Sequence, residues 1–189
     1  MGRIQRRVSG YFAACFVMIC LLGFSDVMSY ADELPASRPS CITCKGSLSP
    51  QGRWCNNHNG TVTDMSNGLI WLSDAAWGGM YPLWSEELKD TAFDRVSQVK
   101  NGNPVSLTDG SDIGDWGLPT SKQLKSLVTG TEAISLSNVY FFAGVMDNVY
   151  WSSTVYAHNA SIGYHLSFDD CLVHPAYKWT TSYVWPVRR

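Results

Sequence analysis

The order in which the hydrophobic periodicity changes along the chain limits its fold more than any single residue does. Two short apolar runs come first, Thr61-Val62-Thr63 and Leu69-Ile70-Trp71-Leu72, separated by a turn carrying Asn67-Gly68. Asn-Gly between such runs is a hairpin signal, because both residues tolerate the positive φ of a tight turn. From Trp84 the spacing becomes helical: Leu88, Ala92, Val96 and Val99 make one apolar stripe, which predicts a helix over residues 84–99. Ser85 is its expected N-cap, Glu86 and Glu87 suit the positive end of the helix dipole, and Asn101-Gly102-Asn103-Pro104 stops it. A second helix is predicted over residues 121–128, with Leu124, Leu127 and Val128 inward, Thr120 or Ser121 as cap and Gly130 as terminator. Strand-like runs then return at residues 150–154, 163–168 and 182–187. In the middle run Tyr164, Leu166 and Phe168 alternate with His165 and Ser167, so one face is expected to be buried. A hairpin, two helices and several antiparallel strands make an α+β domain. Strands near both ends invite pairing between the first hairpin and the last strand.

The N-terminus reads as an export signal over residues 1–31. Arg3, Arg6 and Arg7 precede an uncharged run over residues 8–24, and Ser29-Tyr30-Ala31 follows as a small-residue cleavage site. The apolar run, roughly 17 residues, is at the low limit for spanning a bilayer. An uncut N-terminal anchor is therefore the alternative, and the only membrane contact expected. Residues 32–52 are rich in Pro, Ser and Gly, without an apolar period, and read as a cysteine-containing leader. The domain proper is expected over residues 53–189.

Removing the signal takes three arginines and Asp26 from 14 basic and 16 acidic residues, leaving 11 against 15. Binding to nucleic acid is excluded on this balance, because phosphate contacts need clustered Lys and Arg. The chain is rich in aromatic residues, with eight Trp and nine Tyr, which suit a dense core and also a binding surface.

Four cysteines outlast cleavage: Cys41, Cys44, Cys55 and Cys171. In an oxidising compartment they read first as two disulfides with three pairings open. The preferred one joins Cys41 to Cys44 and Cys55 to Cys171, closing a long loop worth about 4–5 kcal/mol in the chain-entropy picture. Zinc is the alternative, since Cys41, Cys44, Cys55 and His58 have ligand-like spacing. Asp109, Asp112 and Asp115 share a Gly/Ser-containing loop and could hold a hard cation such as calcium. The plainer reading is a solvated turn in which Asp115 fixes backbone amides. No Gly-x-Ser-x-Gly or His-Glu-x-x-His motif occurs, and Cys171 near His165 and His174 suits a bridge better than a nucleophile, so no enzyme is expected.

Four motifs, taken in order, resemble one family. They are Gly60-Thr61-Val62-Thr63-Asp64 with Gly68-Leu69-Ile70-Trp71-Leu72, then Asp115-Trp116-Gly117-Leu118-Pro119-Thr120, then Tyr150-Trp151-Ser152-Ser153-Thr154, and finally Tyr183-Val184-Trp185-Pro186-Val187-Arg188. The family is the C-terminal domain of the Legionella collagen-like protein. The resemblance implies a C-type-lectin-like fold, in which two helices flank a curled antiparallel sheet and the N- and C-terminal strands pair. It also implies kinship with bacterial adhesion modules that bind sulfated glycans and with receptor-binding proteins of variable surface. The calcium-dependent sugar motifs of true C-type lectins are missing, so sugar specificity does not follow from the fold. Position 117 is Gly where the family usually has Arg, so any loop pinned by that Arg must be held otherwise here.

Trp151, Tyr164, Phe168, Trp179 and Trp185 are expected in the core, as large aromatics usually are. Tyr156, His158, Asn159, Ser161, His165, Asp169, His174 and Tyr177 are expected to face outward and form a ligand surface of rigid aromatics and adaptable polar groups. The expectation is an exported, non-enzymatic recognition or adhesion domain, periplasmic, surface-exposed or secreted. It would bind an extracellular glycan or protein through its C-terminal strands and loops. The alternative is a structural or assembly module of a cell-envelope complex, in which this surface packs on another subunit or copy.

Overall fold

The computed structural model describes residues 43–84 and 90–189. The expected signal, Cys41, the Ser85 cap and Glu86 to Leu88 of the first predicted helix lie outside them. No helix among the described residues is long and apolar enough to cross a membrane.

Two five-stranded sheets carry the fold. The first is antiparallel and joins β1 (Ser47–Leu48), β2 (Trp54–Asn56), β3 (Thr61–Asp64), β4 (Leu69–Leu72) and β10 (Val187–Arg188), in the order β1-β2-β3-β4-β10. The β3–β4 hairpin forms where Asn67-Gly68 places it. Gly68, at φ 76°, donates its N–H to Asp64 O at 2.8 Å. The expected closure of the chain also forms, with Val187 opposite Trp71 and Arg188 opposite Ile70.

The second sheet runs β5-β9-β6-β7-β8, from β5 (Met80–Pro82), β6 (Val149–Val155), β7 (Ile162–Ser167), β8 (Val173–Tyr177) and β9 (Thr181–Tyr183). It is antiparallel except where Tyr150 of β6 pairs in parallel with Tyr183 of β9. Both of its outer strands carry a proline, Pro82 in β5 and Pro175 in β8. The two helices are therefore accompanied by two sheets rather than by a single curled one.

Helix α1 (Ala92–Val96) is shorter than its stripe suggested. Its start is set by a capping box at Thr91, whose hydroxyl accepts from Asp94 N while the Asp94 carboxylate accepts from Thr91 N. The cap of α1 is thus Thr91. Tight turns from Gln98 N to Arg95 O and from Val99 N to Val96 O end it. Ala92, Val96 and Val99 are nonetheless all buried, so the apolar face is the one read from the spacing. Helix α2 (Ser121–Leu127) matches its expectation, capped by Thr120 and Gln123 in the same reciprocal way, with Leu124 and Leu127 inside.

The folded region reaches back before Arg53. Strand β1 lies within the segment read as leader, and Ser49 is buried. Cys44 is bonded to Cys55, which corrects the pairing preferred from sequence. The reason is local: β1 and β2 pair, with Leu48 opposite Cys55, and bring the start of the segment back beside β2. This bond also takes two of the four sulfur and imidazole ligands weighed for zinc. Among the described residues Cys171 has no disulfide partner, and Cys41 lies outside them.

The core is an aromatic cluster between the sheets. Trp71 meets Trp185 edge-on at 5.7 Å, Phe142 meets Trp54 at 5.2 Å and Trp185 at 5.1 Å, and Tyr150 meets Phe168 at 5.3 Å. The indoles of Trp54, Trp151 and Trp185 donate to Glu132 O, Tyr81 O and Leu72 O. Along and just after β7, Leu166 and Phe168 are buried and His165 and Ser167 half-buried, in keeping with the alternation read there. In β6, by contrast, Tyr150, Trp151 and Ser152 are consecutive and all buried, so the second sheet is covered on more than one face. Leu83 covers the second face so closely that a Cβ on Gly163 would come within 2.6 Å of its Cδ2. Of the five aromatics assigned to the core, Trp151, Phe168 and Trp185 are buried and Tyr164 is half-buried. Trp179 corrects the expectation: it is 60% exposed.

Candidate functional site

The four motifs fold into scaffold. Asp64, at the end of the first, accepts from Ser66 N and Oγ and from Asn67 Nδ2, closing the β3–β4 turn. Its other bonds go to Arg53, whose Nη2 is 2.8 Å away. In the second motif Gly117 exchanges two backbone hydrogen bonds with Val187, at 2.9 and 3.0 Å, tying it to the fourth. Pro119 O accepts from Ser153 N, and Ser121 N donates to Thr154 Oγ1, tying the start of α2 to the third. The signature residues hold one another.

A second buried polar cluster anchors the segment before β2 to the end of α2. Glu132, 6% exposed and at φ 51°, accepts from Ser49 Oγ at 2.5 Å and from the N–H groups of Gln51 and Arg53 at 2.9 Å each. Burial pushes its carboxyl pKa up, but these hydrogen bonds and the Arg53 charge outweigh burial and hold it below the ordinary value. Arg53 sends its remaining N–H groups to Ser126 O, Thr129 O and Thr131 O. An open groove of about 450 Å³ lies beside it, lined by Gln51, Met65, Ser66 and Thr131 among others. With all five Arg53 donors used, that groove offers no free guanidinium N–H to an anion.

The three loop carboxylates do not converge. Asp109 Oδ1 accepts from Ser111 N and Oγ, and its Oδ2 lies 2.9 Å from Arg188 Nη2. Asp115 Oδ2 accepts from Asp112 N at 2.9 Å, the turn-fixing role that was the plainer reading. Among the described residues no three His, Cys, Asp or Glu side chains are grouped to hold a metal ion, so Asp109, Asp112 and Asp115 do not form the calcium set weighed from sequence. Arg188 also lies over the Trp116 ring at 5.4 Å, and this ion pair with the Gly117–Val187 bridge holds the loop in place of a side chain at 117.

The eight residues expected to form a ligand surface divide into two groups. Tyr156, His158, Asn159 and Ser161 lie in the β6–β7 turn, all exposed, with Asn159 Oδ1 accepting from Ser161 N. Tyr177 belongs with them: it pairs with Ile162 across β7 and β8, and the next residue donates from Lys178 N to Ser161 O at 2.9 Å. Tyr156 packs edge-on against His158 at 5.6 Å and Tyr164 at 6.0 Å.

The other group is His165, His174 and the β7–β8 turn with Asp169. His165 and His174 are direct cross-strand partners, with ring centroids 6.4 Å apart. Burial, and then the neighbouring His174, keep the His165 pKa below its ordinary value. Its Nδ1 is 3.3 Å from Ser182 Oγ, and its ring packs on Trp151 at 5.4 Å. His174 Nε2 meets Asp170 Oδ2 at 2.7 Å. The Leu172 N–H, more than His174, holds the Asp170 carboxyl below the usual carboxylate range. Ser182 is fully buried, so the His165–Ser182 contact does not present a hydroxyl nucleophile to a substrate. Asp169 is exposed in the turn, away from the first group.

Sequence reasoning missed Trp179, which stacks on Tyr177 in the connection to β9. The signal available was its setting: Lys178, Thr180 and Thr181 surround it with polar neighbours, unlike the apolar company of Trp71 or Trp185.

No curated protein matches the chain. Residues 60–188 match the Lcl C-terminal domain, from the β3 motif through the last strand, and the chain belongs to that family.

Proposed function

We propose that the chain is an exported, non-enzymatic recognition domain that binds a glycan or protein through the β6–β7 turn and the β8–β9 connection. One observation carries this reading. The signature residues of the family are spent on holding the sheets and α2 together, whereas Tyr156, His158, Asn159, Ser161 and Tyr177 stand exposed at one place and hold nothing in the core. Side chains of this kind give rigid contact area and adaptable hydrogen bonding. Export is supported by the basic and apolar N-terminus and fits the Cys44–Cys55 bond, which persists in oxidising compartments. A C-type-lectin-like architecture is part of the same proposal, supported by the pairing of β4 with the last strand and by the two helices. The reading requires no cation.

Glycan and protein arrays probed with the purified protein test it. Binding that survives a calcium chelator and is lost on changing Tyr156, His158 and Asn159 together to Ala is the expected result. A stable oligomer that buries this surface and shows no array binding would overturn it in favour of an assembly module.

A further inference from the structure

Two aromatic rings stand in the open where no core requires them. Tyr177 ends β8 and Trp179 lies two residues on. Their rings are stacked with centroids 4.3 Å apart and 13° from parallel, yet remain 49% and 60% exposed. The backbone beneath them is pinned on every side. Thr180 N and Oγ1 both donate to Tyr177 O, at 3.0 and 2.8 Å. Lys178 N donates to Ser161 O at 2.9 Å, and Trp84 N donates to Lys178 O at 3.2 Å. Such a stack is a preformed flat platform, and little ordering cost remains for a ligand that lies on it.

The charge around the platform selects the ligand. Residues 155–164 contain no Asp, Glu, Lys or Arg, and residues 175–187 contain Lys178 alone. A sulfated or phosphorylated ligand needs several cations together, and one ammonium does not supply them. The rim is polar, with exposed His158 and Asn159 in the adjoining turn and exposed Thr181 after the stack. An aromatic face that meets, among the described residues of these two stretches, uncharged hydrogen-bonding groups and a single ammonium matches a sugar ring, which offers C–H groups on its face and hydroxyls around its edge.

We propose that the Tyr177–Trp179 stack binds the C–H face of a neutral pyranose within an uncharged glycan, with the β6–β7 turn hydrogen-bonding its hydroxyls. This rests on the recognition reading above and narrows it to one locus and one ligand class. The test presents the disulfide-bonded protein with cellotetraose, mannotetraose, galactotetraose and chitotetraose, and with heparin as the sulfated probe, using calorimetry and saturation-transfer NMR. At least one neutral tetramer should bind, and Trp179→Ala should weaken it about tenfold while Trp179→Phe weakens it less. Near-UV circular dichroism checks that both variants are folded, and Tyr177→Ala repeats the measurement from the other ring. Binding of a neutral tetramer that Trp179→Ala and Tyr177→Ala both leave intact overturns the proposal, as does the failure of all four to bind. Heparin or protein binding that is lost with the Tyr156, His158 and Asn159 changes but not with Trp179→Ala overturns it and leaves the recognition reading standing. Failure of every glycan and protein ligand removes both.

Discussion

Arg53 and Arg188 each pair with an aspartate of zero side-chain exposure, but the two sites are finished to different degrees. Arg53 sits at the end of α2, where a helix leaves carbonyls without partners, and Ser126, Thr129 and Thr131 accept every N–H that Asp64 does not. Its cation also lies 4.2 Å over the Trp54 ring. Arg188 comes from the last strand, where no helix end supplies carbonyls. Its Nε has no hydrogen-bond partner and neither does Asp109 Oδ2, so the 2.9 Å approach of Arg188 Nη2 to Asp109 Oδ2 is an ion pair without an aligned hydrogen bond. What separates the two is the backbone at hand to share the guanidinium, not the pair itself. One site acts as a structural bolt between β2 and α2, and the other as a looser tether on the 106–117 loop.

The comparison breaks most sharply at Arg53. Arg53→Met leaves Asp64 buried without its cation and three carbonyls without donors, and should cost about 3–5 kcal/mol in urea unfolding. A loss under 1 kcal/mol would mean that the bolt is not one. Glu132→Gln keeps the shape but weakens acceptance from Ser49, Gln51 and Arg53, and should cost about 1–3 kcal/mol. It should also flatten the acid side of the stability curve. Because the folded-state pKa of Glu132 is lowered, its contribution is complete above the unfolded value of 4.5 and fades as pH falls through the folded value. Unfolding midpoints measured from pH 7 downward in the two proteins would show whether their difference narrows in acid. Arg188→Met should cost less than Arg53→Met, about 1–2 kcal/mol, because the bond it removes is already incomplete. Equal losses at the two arginines would erase the distinction drawn above. Smallest of all, Gly117→Arg should change stability by no more than about 0.5 kcal/mol. A Cβ at 117 meets nothing within 4 Å, and the backbone there does not need positive φ. A drop of several kcal/mol in thermal unfolding would show that the loop depends on having no side chain there.

Much of the frame was readable because it rests on local rules. Thr120 with Gln123, the Asn67-Gly68 turn and the apolar run Leu69 to Leu72 need only neighbouring residues to be understood. Strand β8 was hidden because Val173-His174-Pro175-Ala176-Tyr177 neither alternates cleanly nor avoids proline, and its conformation comes from pairing with β7. Glu132 was equally hidden. One carboxylate in a loop reads as solvated until Ser49, some eighty positions earlier, is brought to it. The cysteine pairing failed for the opposite reason: a bridge between distant cysteines would stabilise the fold more by restricting the unfolded chain, but the local β1–β2 pairing decides which sulfurs meet. For the proposed ligand surface, residue types pointed to one stretch but not to its division, since the β7–β8 register sets His165 and His174 apart from the β6–β7 turn.

The prolines in β5 and β8 bear on how such a molecule behaves in company. A sheet with bare sides is an invitation for another chain to add itself as the next strand. Proline has no N–H to offer, so Pro82 on one side and Pro175 on the other each leave a gap where an incoming strand would look for a donor. The outer strands of the second sheet therefore resist zipping onto neighbouring copies of the chain, and the aromatic platform beside β8 stays uncovered by such pairing.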